Sequence, residues 1–273
     1  MARDALRRLL EARLGAPGRA LLAWRTRRRA EALLIARGLA RPATAVARAL
    51  EDTVARGPFA GMHYPRRLGD IVHTAKLVGA YECELHDAVE TLLARRPSLV
   101  VNIGAGDGYY AVGLARRRAA GGESVRVLAV DPDPIAQRAC RDTARRNGVA
   151  AQLVHLARLD AAGLEPHLRD ATGRALVVVD AEGFEEECLD LAQAPSLAHA
   201  DLLIETHDFA RPGVHARLTA RLGVTHDVRE IAIAARTAAA YPELAAIDPT
   251  VARGLLDEFR HVPQAWLVLT ARR

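Results

Sequence analysis

From about residue 58 onward, short apolar runs alternate with longer polar stretches of helical composition. The runs are rich in β-branched residues or nearly continuous, which is typical of strands buried on both faces of a parallel sheet. The alternation predicts a doubly wound α/β sheet. The predicted strands are Leu99–Ile103, Val125–Val130, Gln152–Leu156, Ala175–Val179 and Asp201–Ile204, followed by two later runs, Val224–Ile233 and Ala265–Thr270.

Residues 1–57 have a different pattern, with helix-forming composition and a single glycine-rich turn, "GAPG". Apolar residues recur there at spacings that would form one helix face. A basic helix at a membrane surface or a partner is one interpretation. We favour a helical cap packed on the main domain, because acidic residues interrupt the positive charge. The predicted division is therefore a helical segment 1–57 and a main domain 58–273; the apolar residues are Leu9, Leu10, Leu14, Leu21, Leu22 and Trp24, and the acidic ones Glu11, Glu31, Glu51 and Asp52.

Composition narrows the function classes. Half of the 273 residues are hydrophobic and 26% are charged, which is the balance of a globular protein. No apolar run is long enough to span a membrane, and the stretch Ala20–Trp24 is too short for a signal-peptide core. Cys83, Cys140 and Cys188 are widely spaced, which favours free thiols and predicts a cytoplasmic protein. The net charge of +5 comes almost entirely from arginine beside nearly as many carboxylates, and aromatic residues are few, so we expect no nucleic-acid partner.

The stretch "VVNIGAGDGYY", Val100 to Tyr110, predicts a strand, a glycine-rich turn and then a helix from Tyr109 to about Arg118. Ligands of doubly wound sheets bind at the carboxyl ends of the strands, where this turn lies. Asp131 follows the next strand and can accept hydrogen bonds from a ribose diol. The glycine spacing departs from G-x-G-x-x-G, and Asp107 inside the turn would repel a pyrophosphate but pair with an ammonium or sulfonium group. The pattern therefore favours S-adenosylmethionine over a nicotinamide dinucleotide.

Together, "VVNIGAGDGYYAVGLA" and "VDPDP" resemble motifs I and II of class I S-adenosylmethionine-dependent methyltransferases. The segments "VVVDAEGFEEECLD" and "ADLLIETHDF" resemble the FkbM-like branch of these enzymes, and "KLVGAYECELHDAV" and "AWLVLT" fit that branch too. The resemblance covers roughly Gly57 to the C-terminus. It implies a seven-stranded sheet whose last strand is inserted antiparallel. Asn102 departs from the pattern, since an acid is usual at this position.

We expect a set of residues around the turn and the strand ends to bind the cofactor. Asp107 could instead be a turn residue and Asp160 a solvated loop residue. The predicted cofactor-binding residues are Asn102, Gly104, Ala105, Gly106, Asp107, Tyr109, Asp131, Pro132, Asp160 and Asp180.

Acidic residues and a histidine follow two neighbouring predicted strands. His207 is the predicted general base because its ordinary pKa lies close to neutral pH, and Glu182 or Glu205 would orient it. A divalent metal such as Mg²⁺, bound by Asp180, Glu205 and Asp208, is the competing hypothesis. The predicted substrate-binding residues are Lys76 (the only lysine of the chain), Tyr81, Glu82 and Asp208, with Glu84 nearby.

The resemblance implies O-methylation of a hydroxyl on a glycan or a small-molecule natural product. N-methylation of an amine or peptide is the first alternative, because an amine needs less help from a base. A non-catalytic cofactor- or partner-binding module is the second, and a nicotinamide oxidoreductase is the weakest. A homodimer and a lid role for residues 1–57 are left open.

Overall fold

A seven-stranded sheet organises the chain, of which the computed structural model describes residues 16–260 and 264–272. The strand order is β3-β2-β1-β4-β5-β7-β6; β1 to β5 pair in parallel, and β7 is antiparallel to both β5 and β6. The prediction of a doubly wound sheet with the last strand inserted antiparallel is confirmed. The strands are β1 Leu99–Ile103, β2 Arg126–Val130, β3 Leu153–Leu156, β4 Ala175–Val179, β5 Asp201–Thr206, β6 His226–Ala232 and β7 Ala265–Ala271.

Ten α-helices flank or extend this sheet in the described ranges: α1 Ala16–Ala36, α2 Ala40–Ala49, α3 His73–Leu77, α4 His86–Ala94, α5 Tyr109–Ala120, α6 Pro134–Arg146, α7 Ala161–Arg169, α8 Glu185–Cys188, α9 Val214–Leu222 and α10 Pro249–Leu255. Alternate residues of each central strand enter two separate apolar clusters, one on each face of the sheet. Val100 belongs to one cluster and Val101 to the other, and both are fully buried. Burial on both faces explains why the strands appear in the sequence as continuous apolar runs.

Predicted and observed boundaries differ most after β4. The stretch "EEECLDLAQAP" has helical composition, but only Glu185–Cys188 forms an α-helix. Asp190 ends the helical region, because its carboxylate accepts the backbone N–H of Ala192 at 2.9 Å and stabilises a turn. This side-chain hydrogen bond of Asp190 favours a turn over a further turn of α-helix.

Helices α1 and α2 pack on the main domain through Leu34, Leu39 and Val46, which join an apolar cluster with Val78 and Leu255. The predicted apolar face is wrong for Leu21 and Trp24, whose side chains are 58% and 47% exposed. The inner face of α1 is set instead by Leu34 and by ion pairs of Arg27 and Glu31. Leu9, Leu10 and Leu14 lie outside the described residues. Within the described ranges, no helix combines the length and the apolar character needed to cross a bilayer.

Candidate active site

The glycine-rich turn between β1 and α5 is shaped by close backbone packing. Gly104 has a φ of 81°, and a Cβ placed there would lie 1.7 Å from the carbonyl oxygen of Asp180. Gly106 has a φ of 53°, yet a Cβ built on it meets no atom within 4 Å. Gly104 is therefore required by the protein's own packing, whereas Gly106 leaves open space in which a ligand can approach the backbone.

Asp131, at the end of β2, holds this turn in place. Its Oδ2 accepts the backbone N–H of Gly106 at 2.8 Å, and its Oδ1 accepts the N–H of Asp133 at 2.8 Å. Burial raises the pKa of Asp131 to about 6, although both hydrogen bonds favour the ionised form. Each oxygen keeps acceptor capacity beyond its single bond, as a ligand for a diol requires. The neighbouring Pro132 is exposed.

Asp107, inside the turn, has its charge compensated within the protein. Its carboxylate accepts a hydrogen bond from the hydroxyl of Tyr64, and the Nζ of Lys76 lies 3.6 Å from its Oδ1. Burial would lower the pKa of Lys76, but the charges of Asp107 and Asp70 outweigh burial and raise it. The argument that Asp107 would repel a pyrophosphate loses force, because Lys76 compensates part of the charge of that carboxylate, although Lys76 is shared with Asp70 at 3.7 Å. The sequence could not reveal this pair, since 31 positions separate the two residues.

An aromatic cluster surrounds Lys76. Its Nζ lies 5.0, 5.3 and 5.7 Å from the ring centres of Tyr64, Tyr81 and Tyr109, within the range of cation–π attraction. Tyr109 is buried and also packs edge-on against Phe59. The structure thus gives Tyr109 a packing role in this cluster, although the sequence predicted cofactor contact. Lys76 and Tyr81, both predicted to bind substrate, lie next to each other, and Lys76 is engaged with the carboxylates of Asp70 and Asp107.

His207 lies just beyond the end of β5 and is the centre of a group of four carboxylates. Its Nδ1 is 2.6 Å from Oε1 of Glu185. Its Nε2 faces Asp180 at 3.4 Å, Glu205 at 3.7 Å and Glu182 at 3.9 Å. The carboxyl ends of β4 and β5 therefore bring Asp180, Glu182 and Glu205 to His207, whereas Asp208, predicted with them, contacts the backbone of Gly213 instead.

Glu185 is the residue that sequence reasoning missed. We expected Glu182 or Glu205 to orient His207, and that prediction is wrong for Nδ1, which Glu185 engages. Glu185 is fully buried and also accepts the backbone N–H of Gly183 at 2.9 Å. In the sequence it opens a run of three glutamates that indicates an exposed helix; only the short turn before α8 directs the first of them inward. The signal that could have found it is the glycine two residues earlier, which permits such a turn.

The pKa of His207 reflects this surrounding charge. Burial would lower it, but the hydrogen bond that Nδ1 donates to Glu185 and the charge of Asp180 outweigh burial and raise the pKa of His207. Burial in turn raises the pKa of Asp180. Glu182 adopts a left-handed backbone conformation with a φ of 52°, a sparsely populated state for a residue with a side chain. Glu185 thus holds the imidazole by Nδ1, and Nε2 faces the other three carboxylates.

Arg260 compensates the acidic residues on the other side of His207. Its guanidinium pairs with Glu205, with Oε1 of Glu82 at 3.0 Å and with Oε2 of Glu258 at 2.9 Å. Burial raises the pKa of Glu82 to about 7, and the hydroxyl of Tyr110 donates to its Oε2 at 2.5 Å. Glu82, predicted to bind substrate, is therefore a buried member of this network. Glu84 lies beside it and pairs with Arg236 at 2.8 Å.

A surface cavity of about 470 Å³ borders this network. Arg260 and Glu258 line it, and Arg260 connects the cavity to the cluster around His207 through its ion pair with Glu205. Arg236 and Arg253 also face the cavity; the remaining lining residues are Ile233, Thr250, Gly254, Leu256 and Asp257.

The cluster around Nε2 of His207 has the composition of a metal-binding site. One ligand atom each from Asp180, Glu205 and His207 lie within 4.8 Å of one another. A histidine whose other ring nitrogen is held by a carboxylate is a common arrangement around metal ions. The Arg260 guanidinium already neutralises Glu205, however, which lowers the electrostatic demand for a cation. The cluster also differs from the predicted metal ligands, because His207 takes the place of Asp208, and imidazole is not a ligand that Mg²⁺ prefers.

Two further predicted residues, Asp160 and Asp208, have hydrogen-bond partners within the protein, and the side-chain oxygen of a third, Asn102, has none among the described residues. Asp160 begins α7 and accepts the N–H of Gly163 at 2.9 Å, and Asp208 accepts the N–H of Gly213 at 2.8 Å at the start of α9. Asp160 is the N-cap of α7, and Asp208 also accepts the N–H of His215 at 3.3 Å, so its carboxylate is engaged by the backbone at the start of α9 rather than by the cluster around His207. Asn102 is buried in β1, and its Oδ1 has no hydrogen-bond partner among the described residues.

Comparison with known proteins gives limited matches. No family model matches the chain. A 66-residue segment is 41% identical to the ribosomal protein L11 methyltransferase of Rhizobium rhizogenes, which amounts to 24% of this chain and about a fifth (21%) of that relative.

Similar solved structures include the O-methyltransferase TomG from Streptomyces achromogenes in complex with SAM, with a TM-score of 0.44, 15% identity and coverage of 74% of this chain and 88% of TomG. An rRNA methylase from Streptococcus thermophilus has a TM-score of 0.43 and 16% identity, covering 70% of this chain and 97% of its own.

Proposed function

We propose that the protein is an S-adenosylmethionine-dependent methyltransferase that methylates a hydroxyl group, with His207 as the general base. The observation that carries this proposal is the buried His207–Glu185 pair, which lies at the carboxyl edge of the sheet beside the glycine-rich turn of β1. The sequence resemblance to FkbM-like enzymes supports an acceptor that is a glycan or a small-molecule natural product. The 66-residue match to a methyltransferase supports the reaction class.

The turn of β1 fits the cofactor on structural grounds. The open space at Gly106 admits a ligand close to the backbone, and the carboxylate of Asp131 retains acceptor sites for ribose hydroxyls. The unpartnered, buried Oδ1 of Asn102 is a further acceptor near the same turn. When bound, S-adenosylmethionine supplies an electrophilic methyl group for an in-line displacement.

The residues at the ends of β4 and β5 would prepare the acceptor. A hydroxyl becomes a competent nucleophile only as its proton is removed, and Nε2 of His207 would accept that proton. Glu185 would hold the ring by Nδ1 and stabilise the imidazolium that forms, as carboxylates do for other catalytic histidines. The pair is buried, so bulk water competes poorly for the proton.

N-methylation of an amine is the second candidate. Asp180, Glu182 and Glu205 all face Nε2 of His207, and this concentration of carboxylates suits an acceptor that arrives as an ammonium ion. Such an acceptor would bind through charge and would depend less on the base. Hydroxyl and amine acceptors tested with labelled methyl donor against the wild type and His207→Ala distinguish the two, because only O-methylation should collapse in the variant.

Calorimetric titration with S-adenosylmethionine and with NADH, each with Mg²⁺ and with EDTA, is the decisive first experiment. We expect binding of S-adenosylmethionine in both conditions and none of NADH. Binding of neither compound would contradict the proposal and favour a non-catalytic module, whereas activity abolished by EDTA would favour the metal hypothesis. The Asp131→Ala variant serves as the binding-deficient control.

A further inference from the structure

One face of helix α1 combines exposed apolar side chains with arginines. We define the outer face of α1 as Leu21, Trp24, Arg25, Arg28, Arg29 and Ile35, all of which are exposed. The side chains of Leu21, Trp24 and Ile35 are 58%, 47% and 63% exposed, so the main domain does not cover them. The guanidinium carbon of Arg28 lies 5.4 Å from the ring centre of Trp24. Exposed apolar side chains interspersed with cations can bind at an anionic membrane interface through both burial and charge.

The opposite side of α1 is fixed to the main domain. Arg27 pairs with Asp133 at 2.5 Å, and Glu31 pairs with Arg66 at 2.7 Å and accepts the N–H of Gly69 at 2.9 Å. Leu34 is buried. These contacts repeat at helical spacing along the inner side, so they hold the outer face towards solvent.

Charge is concentrated in the same part of the chain. Residues 1–29 contain nine arginines and two acidic residues, whereas the whole chain has a net charge of +5. The remainder of the sequence therefore has no net positive charge. Helix α1 has one acidic residue, Glu31, which Arg66 neutralises.

We propose that the outer face of α1 docks on an anionic lipid bilayer. Arginines attract anionic headgroups, and Leu21, Trp24 and Ile35 gain free energy by entering the interface. A nucleic acid would attract the arginines but would leave Leu21, Trp24 and Ile35 exposed to water. A symmetric dimer through this face would place Arg25, Arg28 and Arg29 of two copies next to one another, and their charges would repel. The proposal is independent of the proposed function, because it concerns a surface without catalytic groups.

Vesicle flotation with the full chain tests the proposal. Vesicles of phosphatidylcholine alone are compared with vesicles of equal parts phosphatidylcholine and phosphatidylglycerol. We expect flotation with the anionic vesicles only, weakened by added salt. Trp24 provides a second readout, because the other tryptophan, Trp266, is fully buried; the emission of Trp24 should shift to shorter wavelength on binding.

Charge-matched variants make the test specific. Replacing Arg25, Arg28 and Arg29 by Gln should reduce partitioning about a hundredfold. The control replaces three exposed arginines that lie neither on α1 nor on α6, the helix against which α1 packs. These changes, Arg126→Gln, Arg169→Gln and Arg229→Gln, should retain partitioning within about threefold, because they leave the charges of the outer face of α1 unchanged.

Circular dichroism of each variant verifies that it is folded. Equal flotation with both vesicle types, equal losses in the two triple variants, or binding of duplex RNA or self-association in place of vesicle binding would overturn the proposal. A Trp24 emission that vesicles leave unchanged would overturn it as well.

Discussion

The two halves of the candidate active site are held by different interactions. At the ends of β1 and β2, backbone N–H groups bind the carboxylate of Asp131 and fix the glycine-rich turn. At the ends of β4 and β5, side chains bind one another, as in the His207–Glu185 and Glu205–Arg260 pairs. The first half is thus sensitive to changes in backbone geometry, and the second to changes in charge and protonation.

Replacing His207 by Ala should have the largest effect. We expect kcat to fall by about 10²–10⁴-fold because the acceptor loses its base, while the affinity for S-adenosylmethionine changes little. Single-turnover methyl transfer and calorimetry measure the two quantities. Asp131→Ala should have the opposite effect: the affinity for S-adenosylmethionine should be lost, while kcat at saturating cofactor should change little. Equal losses of affinity in both variants would mean that the two halves do not act separately.

Gly104→Ala should destabilise the fold more than Gly106→Ala. The new Cβ at position 104 would overlap the backbone of Asp180, so we expect the free energy of unfolding to decrease by about 3 kcal/mol, against about 1 kcal/mol at position 106. Urea denaturation measures both values. At position 106 the larger consequence should be weaker cofactor binding; similar unfolding midpoints for the two variants would contradict the assignment of open space to Gly106.

Glu185→Gln should lower kcat by about 10–100-fold, because the ring of His207 loses the group that orients it. It should also lower the pKa of His207, since Glu185 raises that pKa in the wild type. The base is then deprotonated at lower pH, so the acidic limb of the pH–rate profile should move to lower pH. Glu187→Gln, the same change two residues along, is the control and should leave the limb in place. A purely structural role for Glu185 would reduce activity without moving the limb.

Acidification should weaken cofactor binding by several-fold, the smallest of these effects. The pKa of Asp131 is about 6, so its carboxylate becomes protonated as the pH falls through that value and accepts hydroxyl hydrogen bonds less well. Calorimetry at pH 5 to 8 should show a decline in affinity centred near pH 6. The decline should be absent in Asp131→Asn, and its persistence there would assign the titration to another group.

The sequence predicted the glycine-rich turn of β1 and its contact with Asp131 better than it predicted the surroundings of His207. Gly104, Gly106 and Asp131 could be identified because they occupy fixed places after predicted strands, and the structure places them together. Glu185 could not be distinguished from Glu186 and Glu187, because burial of one member of a charged run depends on a turn of the backbone. The Lys76–Asp107 contact was equally hidden, since it joins distant segments.

The apolar pattern by itself determined the sheet, because strands buried on both faces must be apolar along their length, and it placed Asp180, Asp131 and His207 at strand ends. Only the tertiary structure decided which charges meet. In the tertiary structure His207 binds Glu185, Lys76 lies beside Asp107, and Trp24 of α1 is exposed to solvent. The physical reason is that burial of an apolar residue follows from local composition and periodicity. The partner of a charge depends instead on the packing of segments far apart in the chain.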